Sequence, residues 1–304
     1  MAGVGQGSCR SLNARTVCAM GSLQPWDVID IDRYPIAEPG SRREEVVAEV
    51  RAALDDDGCA VLSGFLSPAG LDVLLTEAIE REPRAYYNPA NRANVHLGDP
   101  DPSLPGEHPR NRFFARTNGF VRADEWDETT NSKRLYDWEP LKGFLQDCLG
   151  KDELHVYEDP VSNMIVNVQR TDQEFNWHFD TNEFTITMLL QPADEGGRFE
   201  YVPGLRSPAD ENEDGVSAIL DGGRDGVRTL DLQPGDLQFF LGRFSLHRVT
   251  ANLGVTTRLL LIMSFSEKPG SVGSVQRIRS LYGKLTDEHL AADGAPVRAD
   301  ALLD

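Results

Sequence analysis

From Leu154 onward the chain is a succession of short segments rich in β-branched and aromatic residues: MIVNVQR, FTITMLLQ, GRFEYV, VRTLDL, LQFFL and RLLLIMSFS. Between them stand PADEGG, VPG and QPGD. Residues of this kind suit a pleated, buried surface, and the Pro, Gly and Asp clusters supply turns rather than crossover helices. Strands joined by turns pair antiparallel and curl into a barrel or sandwich. The expected fold is therefore α+β, mainly β, with its core over about 154–268.

The chain before that core alternates helices with short strands. Ser41-Arg-Arg-Glu44 has the spacing of a capping box, and Val46, Val47, Val50 and Leu54 follow at helical period. Gly58 stops this helix and CAVLSGF reads as a buried strand. Ser67-Pro68 pairs a cap with a proline at the first helical position, opening a helix with Leu71, Leu74, Leu75 and Ile79 on its apolar stripe. Residues 85–135 are polar and rich in Asn and Pro, a long irregular stretch of the sort that is functional or mobile. Pro140 opens a helix with Leu141, Phe144, Leu145, Cys148 and Leu149 on one face, and a last helix covers roughly Val275–Leu281. The expected organisation is a disordered leader over 1–24 and one domain over 25–304. That domain comprises a helical prelude (about 25–153), the core, and a C-terminal helix and tail (about 269–304).

Bulk properties narrow the function. The 304 residues are 40% hydrophobic, enough for a sizeable core, and 49 acidic against 30 basic side chains give a net charge of −19. Such a surface repels phosphate backbones and anionic lipid heads, which argues against nucleic-acid and membrane partners and tolerates a small cationic substrate. Cys9, Cys18, Cys59 and Cys148 are scattered without framework spacing, as expected in a reducing cytoplasm. No apolar run approaches the roughly 20 residues of a membrane-spanning helix, and the N-terminus lacks the apolar stretch of a signal peptide.

The chemistry concentrates at His178-Phe179-Asp180, on an apparent strand NWHFDTNEFTITMLLQ. Side chains at i and i+2 share one face of a strand, so His178 and Asp180 can reach inward together. His247 follows on a later strand. Two imidazoles and a carboxylate form a facial triad that leaves about three positions of an octahedral iron(II) open. Taken singly, an H-x-D tripeptide or a buried histidine is more often a core feature than a ligand. Their combination with Arg258 further along the barrel is what points to a metal site.

The pattern HFD…LQPGDLQFF…LHRVTANLGVTTRLLLIMSFS resembles the double-stranded β-helix (jelly-roll, cupin-like) core of the iron(II)/2-oxoglutarate oxygenases. Within them, YEDP, VNVQR, NWHFD and LHRVT are similar to the bacterial radical halogenases and hydroxylases that act on free amino acids. The likeness covers about residues 110–282. It implies iron(II), 2-oxoglutarate and O2 as cofactors, with the metal on His178, Asp180 and His247. Arg258 would hold the distal carboxylate of 2-oxoglutarate, because a guanidinium donates two parallel bonds to a carboxylate. Asn167 would face the cofactor or occupy a plain ladder position. In halogenating members a small residue replaces the carboxylate ligand and admits halide; Asp180 fills that place here, which implies hydroxylation of an unactivated C–H bond. Desaturation or oxidative cyclisation uses the same cofactors.

The substrate implied is a small molecule, an amino acid or close derivative. Arg116, with Arg112 as its rival, is placed like a substrate-carboxylate arginine; Glu158 could take an ammonium; Trp177 could wall the pocket, although strand alternation turns it from His178's face. A reading from another class is a non-catalytic barrel that binds a ligand or calcium, since Asp210-Glu-Asn212-Glu-Asp214-Gly215 imitates the opening of an EF-hand loop. An acidic insert near the metal is the simpler expectation for that segment.

Overall fold

The computed structural model describes residues 23–294 and 302–303, so the expected leader lies almost wholly outside the described residues, with Cys9 and Cys18. Helix α1 (Pro25–Val28) is a single turn. Helix α2 (Ser41–Asp57) buries Val46, Val50 and Leu54 and stops at Gly58, whose φ of 63° is one that favours glycine. The expected capping box does not form: Gly40 holds the cap position and Ser41 is already helical. Strand β1 (Cys59–Leu62) follows, then helix α3 (Pro68–Arg81), where the Ser67 hydroxyl accepts the Gly70 N–H at 2.9 Å.

The buried arc of α3 departs from the predicted stripe. Gly70, Val73, Leu74 and Ala78 are buried, whereas Ile79 is half exposed. A Cβ on Gly70 would lie 2.0 Å from the Val28 carbonyl oxygen, so α3 turns its glycine against α1 and carries Ile79 outward.

The polar stretch is built of short strands β2 (Tyr86–Tyr87), β3 (Arg92–Ala93), β4 (Phe114–Ala115) and β5 (Gly119–Val121). Helices α4 (Asn131–Tyr136) and α5 (Glu139–Leu149) come next, and α5 buries Leu141, Phe144, Leu145 and Cys148 as expected. Then come β6 (His155–Val156), β7 (Met164–Gln169), β8 (Phe175–His178), β9 (Thr185–Gln191) and β10 (Phe199–Val202). Helix α6 (Glu213–Leu220) precedes β11 (Arg228–Leu230), β12 (Leu237–Phe240), β13 (Leu246–Val249), β14 (Arg258–Met263) and β15 (Phe265–Ser266), and α7 (Val275–Tyr282) and α8 (Asp287–Ala291) finish the order.

Two antiparallel sheets make the core, one of seven strands in the order β1-β12-β9-β14-β7-β5-β2 and one of four, β11-β10-β13-β8. The architecture is the double-stranded β-helix with flanking helices. The prelude shares it, because β1, β2 and β5 belong to the large sheet. That sheet is covered on both sides, which is why its strands read as near-continuous apolar runs. Val166, Met188, Phe239 and Leu261 pack in the cluster that contains Val50, Leu74 and Phe144 of the helices. Their alternates Asn167, Thr187, Gln238 and Leu260 face the interior cavity.

The segment expected as one strand, NWHFDTNEFTITMLLQ, is two. β8 pairs with β13 in the small sheet, while β9 pairs with β12 and β14 in the large one. Between them the main chain leaves the ladder: Phe179 N–H donates to Val95 O at 2.8 Å and Asp180 N–H to Gly242 O at 3.0 Å. The acidic insert also departs from an ion-binding loop. Asn212 caps α6 by accepting the Gly215 N–H, Glu211 pairs with Arg206 at 2.9 Å, and Glu213 pairs with His108 at 2.9 Å.

Candidate metal centre and its cavity

His178 ends β8, and its register partner across the ladder is His247 on β13. Their ring centroids lie 4.1 Å apart. Asp180 enters from the turn after β8, so the H-x-D spacing does its work at a strand end rather than along a strand. Nitrogen atoms of both histidines and a carboxylate oxygen of Asp180 lie within 4.8 Å of one another. This is the one such cluster among the described residues.

Each ligand is oriented by a second contact. His178 Nδ1 lies 2.7 Å from Asn176 O and His247 Nδ1 lies 2.9 Å from Ser245 O. A main-chain carbonyl can only accept, so Nδ1 carries the proton in each ring and Nε2 keeps its lone pair for a metal. The Thr185 hydroxyl donates to Asp180 Oδ2 at 2.7 Å, leaving Oδ1 to face His247 Nε2 at 3.6 Å. Gly242 makes room for this: a Cβ there would stand 2.1 Å from Asp180 Oδ2. Phe179 points the other way into a separate apolar cluster, and Phe175 stacks on His178 with centroids 3.7 Å apart.

Burial, then the neighbouring His247, holds His178 well below the usual histidine range, which keeps it a neutral ligand. Burial opposes ionisation of Asp180, but the two histidines and Arg277 outweigh it and the carboxyl sits below its ordinary value. Two imidazoles and one carboxylate, with Nε2 of each ring and Asp180 Oδ1 turned toward one another, fit a divalent first-row metal.

The triad opens on a cavity of about 130 Å³. Phe120, Ile165, Phe175 and Leu281 form apolar walls, and Asn167, Thr187, Gln238 and Arg277 contribute polar groups. Asn167, on β7, lines this space with Oδ1 buried and unpartnered. Arg258 is 3% exposed, with Nη1 buried and without a hydrogen-bond partner. Burial alone pushes it down to about 10, and it forms no ion pair among the described residues, although Asp194, Glu195 and Asp231 line the same cavity. It lines a second cavity that shares the Phe199 ring with the first, two residues along β14 from Leu260.

The expected substrate residues are dispersed. Arg116 is buried at 1% exposure between the Phe120 and Phe175 rings, behind the cavity wall rather than in it. Arg112 is committed to the end of α6, to Asp221 at 2.9 Å and Leu220 O at 3.2 Å. Glu158 is exposed and accepts the Gly270 N–H at 2.8 Å, away from the cavity. Trp177 lies on the outer face under the Arg248 guanidinium, 4.6 Å from its ring centroid.

Sequence reasoning missed Thr185, Gly242 and Arg277. The polar alternation of Thr185 and Thr187 within an apolar run was the available signal for the first. Nothing local marked the other two, which reach the triad only through the tertiary fold.

Residues 115–275, more than half of the chain, match the model of the family described as HalD, Halogenase D. The chain belongs to the Halogenase D family. Members of the described triad, Asn167 and Arg258 all fall inside the matched stretch, as does the first residue of α7. No curated protein sequence matches this Halogenase D family chain. Among solved structures it is similar to the non-heme alpha ketoglutarate dependent epimerase SnoN from nogalamycin biosynthesis, at 15% identity and TM-score 0.51, over 73% of this chain and 83% of that one. A second SnoN structure, described as a complex with Fe3+, alpha ketoglutarate and nogalamycin RO, has 16% identity and TM-score 0.50, over 73% and 84%. AviO1 from Streptomyces viridochromogenes Tue57 has 15% identity and TM-score 0.50, over 76% and 97%. At these identities the likeness is one of fold.

Proposed function

We propose that this member of the Halogenase D family is an iron(II)- and 2-oxoglutarate-dependent oxygenase that hydroxylates an unactivated C–H bond of a small molecule, an amino acid or close derivative. The observation that carries the reading is Asp180: a carboxylate held by Thr185 and fitted against Gly242, within 4.8 Å of both histidine donors. A halide would need that position empty. With the carboxylate in it, the open coordination positions are those needed by 2-oxoglutarate and O2 alone.

Bound iron(II) would let O2 serve as the oxidant, with 2-oxoglutarate oxidised alongside the substrate: C–H, O2 and 2-oxoglutarate would become C–OH, succinate and CO2. The residues of the chain do the rest. His178, Asp180 and His247 hold the metal on one face, and their carbonyl and hydroxyl partners keep the donor atoms aimed at it. Arg258 would answer the distal carboxylate of 2-oxoglutarate; its buried, unpartnered Nη1 and the lack of an ion pair among the described residues suit that task. Arg258 lines the second cavity and the triad the first, with Phe199 lining both. In the metal cavity Asn167 Oδ1 offers a neutral acceptor, and Phe120, Ile165 and Phe175 supply apolar wall.

Anaerobic addition of iron(II) and 2-oxoglutarate should produce the visible charge-transfer absorption of the chelate. Under O2, the product of a turned-over substrate should gain one oxygen in the presence of chloride, with one succinate released. A chlorinated product from the unaltered protein overturns the hydroxylation reading, and a chelate that never forms overturns the cofactor reading. Loss of two hydrogens would instead identify desaturation or ring closure.

A further inference from the structure

Arg277 was not anticipated, yet it is the only cation lining the metal cavity among the described residues. It projects from α7, with Nη2 4.0 Å from Asp180 Oδ1 and its side chain 20% exposed. Asp180 is likewise the only carboxylate lining that cavity among the described residues. Once Asp180 is committed to a metal, Arg277 is left as a cation without a counter-ion, and a substrate ammonium would find none either.

The surroundings sharpen this imbalance. Arg116 lies behind the Phe120 and Phe175 wall with Nε and Nη2 unpartnered, and the Arg277 charge is among those that act on it. The nearest other buried carboxylate, Asp159, is taken up by His289 and three main-chain amides, so with Asp180 on a metal the lining side chains of the cavity keep one positive charge, that of Arg277. Adding a desolvated ammonium to such a site is strongly unfavourable, whereas adding a carboxylate is favourable. The other polar groups at hand are neutral: Asn167 Oδ1 and Thr181 Oγ1 are both buried and without a partner. They suit an amide or hydroxyl better than a charged amine.

Arg277 is also held in place. Asp159, fully buried, accepts the Gly273 N–H at 2.9 Å just before α7 and binds His289 Nε2 of α8 at 2.8 Å. Its other oxygen accepts the Val161 and Ser162 N–H groups, each at 2.9 Å. The helix that presents Arg277 is thus fastened to the barrel at a point next to the cavity.

We infer that this site binds a monoanionic carboxylic acid with an apolar body, carrying no charged amine, and that Arg277 binds its carboxylate. The inference rests on the oxygenase reading above and narrows its substrate from amino acids in general to acids whose nitrogen, if present, is uncharged, as in an N-acyl amino acid.

The test uses the full chain loaded anaerobically with iron(II) and 2-oxoglutarate. The probes are aliphatic carboxylates, their primary amides, N-acetyl amino acids and the matching free amino acids, with binding followed by calorimetry and by perturbation of the chelate absorption. The expected result is binding of the carboxylates and N-acetyl acids, with amides and free amino acids weaker by about tenfold or more. Arg277→Met should weaken carboxylate binding by about tenfold or more by calorimetry, and Arg277→Lys should retain part of it. Equal affinity for free and N-acetyl amino acids, unchanged binding in Arg277→Met, or no binding by any acid while the chelate forms would each overturn the inference. Failure of the unaltered protein to form the chelate is a separate outcome and strikes the oxygenase reading itself.

Discussion

Two walls of one cavity are built on different principles. The metal corner is main-chain architecture: His178 and His247 face each other as register partners on adjacent strands, and both rings are oriented by carbonyls of their own segments. The neighbouring wall is a helix, α7, brought from beyond the last strand and fastened by the side chain of Asp159. A ladder of hydrogen bonds fixes a residue to a fraction of an ångström and tolerates side-chain change. A wall held by an apolar face and one buried carboxylate has fewer fixed points and is open to adjustment. The corner is thus suited to invariant metal chemistry and the helix to choosing what reaches it.

The sharpest way to break this contrast is to remove a ligand. Asp180→Ala should abolish succinate release and reduce bound iron, measured by metal analysis, while the thermal transition stays near that of the unaltered protein. Retention of full activity without an added carboxylate would mean that the corner is not the metal centre.

The corner was legible because two of its parts lie close in sequence and the third follows a readable turn and strand. His178 and Asp180 are two apart, and His247 follows the QPGD turn and the LQFFL strand that return the chain to the same sheet. The alternating faces of β7, β9, β12 and β14 follow the same period-two logic. What escaped was set by tertiary packing. The break between β8 and β9 depends on Val95 and Gly242 capturing the Phe179 and Asp180 amides. The phase of α3 depends on Gly70 meeting Val28, and Ser41 loses the cap to Gly40 because the helix begins one residue earlier than its side chains suggest. Asp159 and His289 stand far apart in sequence with no shared motif, so the fastening of α7 could not be read in advance.

Removing that fastening tests the other wall. Asp159→Ala leaves His289 and the Val161, Ser162 and Gly273 amides without their acceptor inside the protein. The expected cost is about 3–5 kcal/mol by denaturant unfolding, as for other buried pairs broken from one side. Asp159→Asn, which keeps the shape and part of the acceptor capacity, should cost less. A loss under about 1 kcal/mol for the alanine variant would show that α7 is held by its apolar face alone.

Gly242→Ala probes the corner without touching a ligand. The added Cβ meets Asp180 Oδ2 at 2.1 Å, so either the carboxylate or the 242 main chain must move. Displacing a partner that orients a ligand costs about 10–100-fold in metal affinity or activity. Iron(II) titration should show that loss, and the α7 wall should be undisturbed by hydrogen exchange. Unaltered iron affinity would mean that Asp180 has more freedom than its contacts with Thr185 and Gly242 allow.

The smallest expected effect falls on α7 itself. Ser274 caps this helix by accepting the Arg277 N–H at 3.4 Å, so Ser274→Ala removes the one side-chain acceptor at its start. Losing such a cap costs about 1 kcal/mol. If α7 opens locally, its first amides should exchange about fivefold faster, since 1 kcal/mol corresponds to that factor in an opening equilibrium. Because Arg277 sits in the affected turn, binding of an anionic probe should weaken, while the iron–2-oxoglutarate absorption should not move. A parallel change in the chelate absorption would show that the helix and the metal corner respond as one body, and the division between them would have to be abandoned.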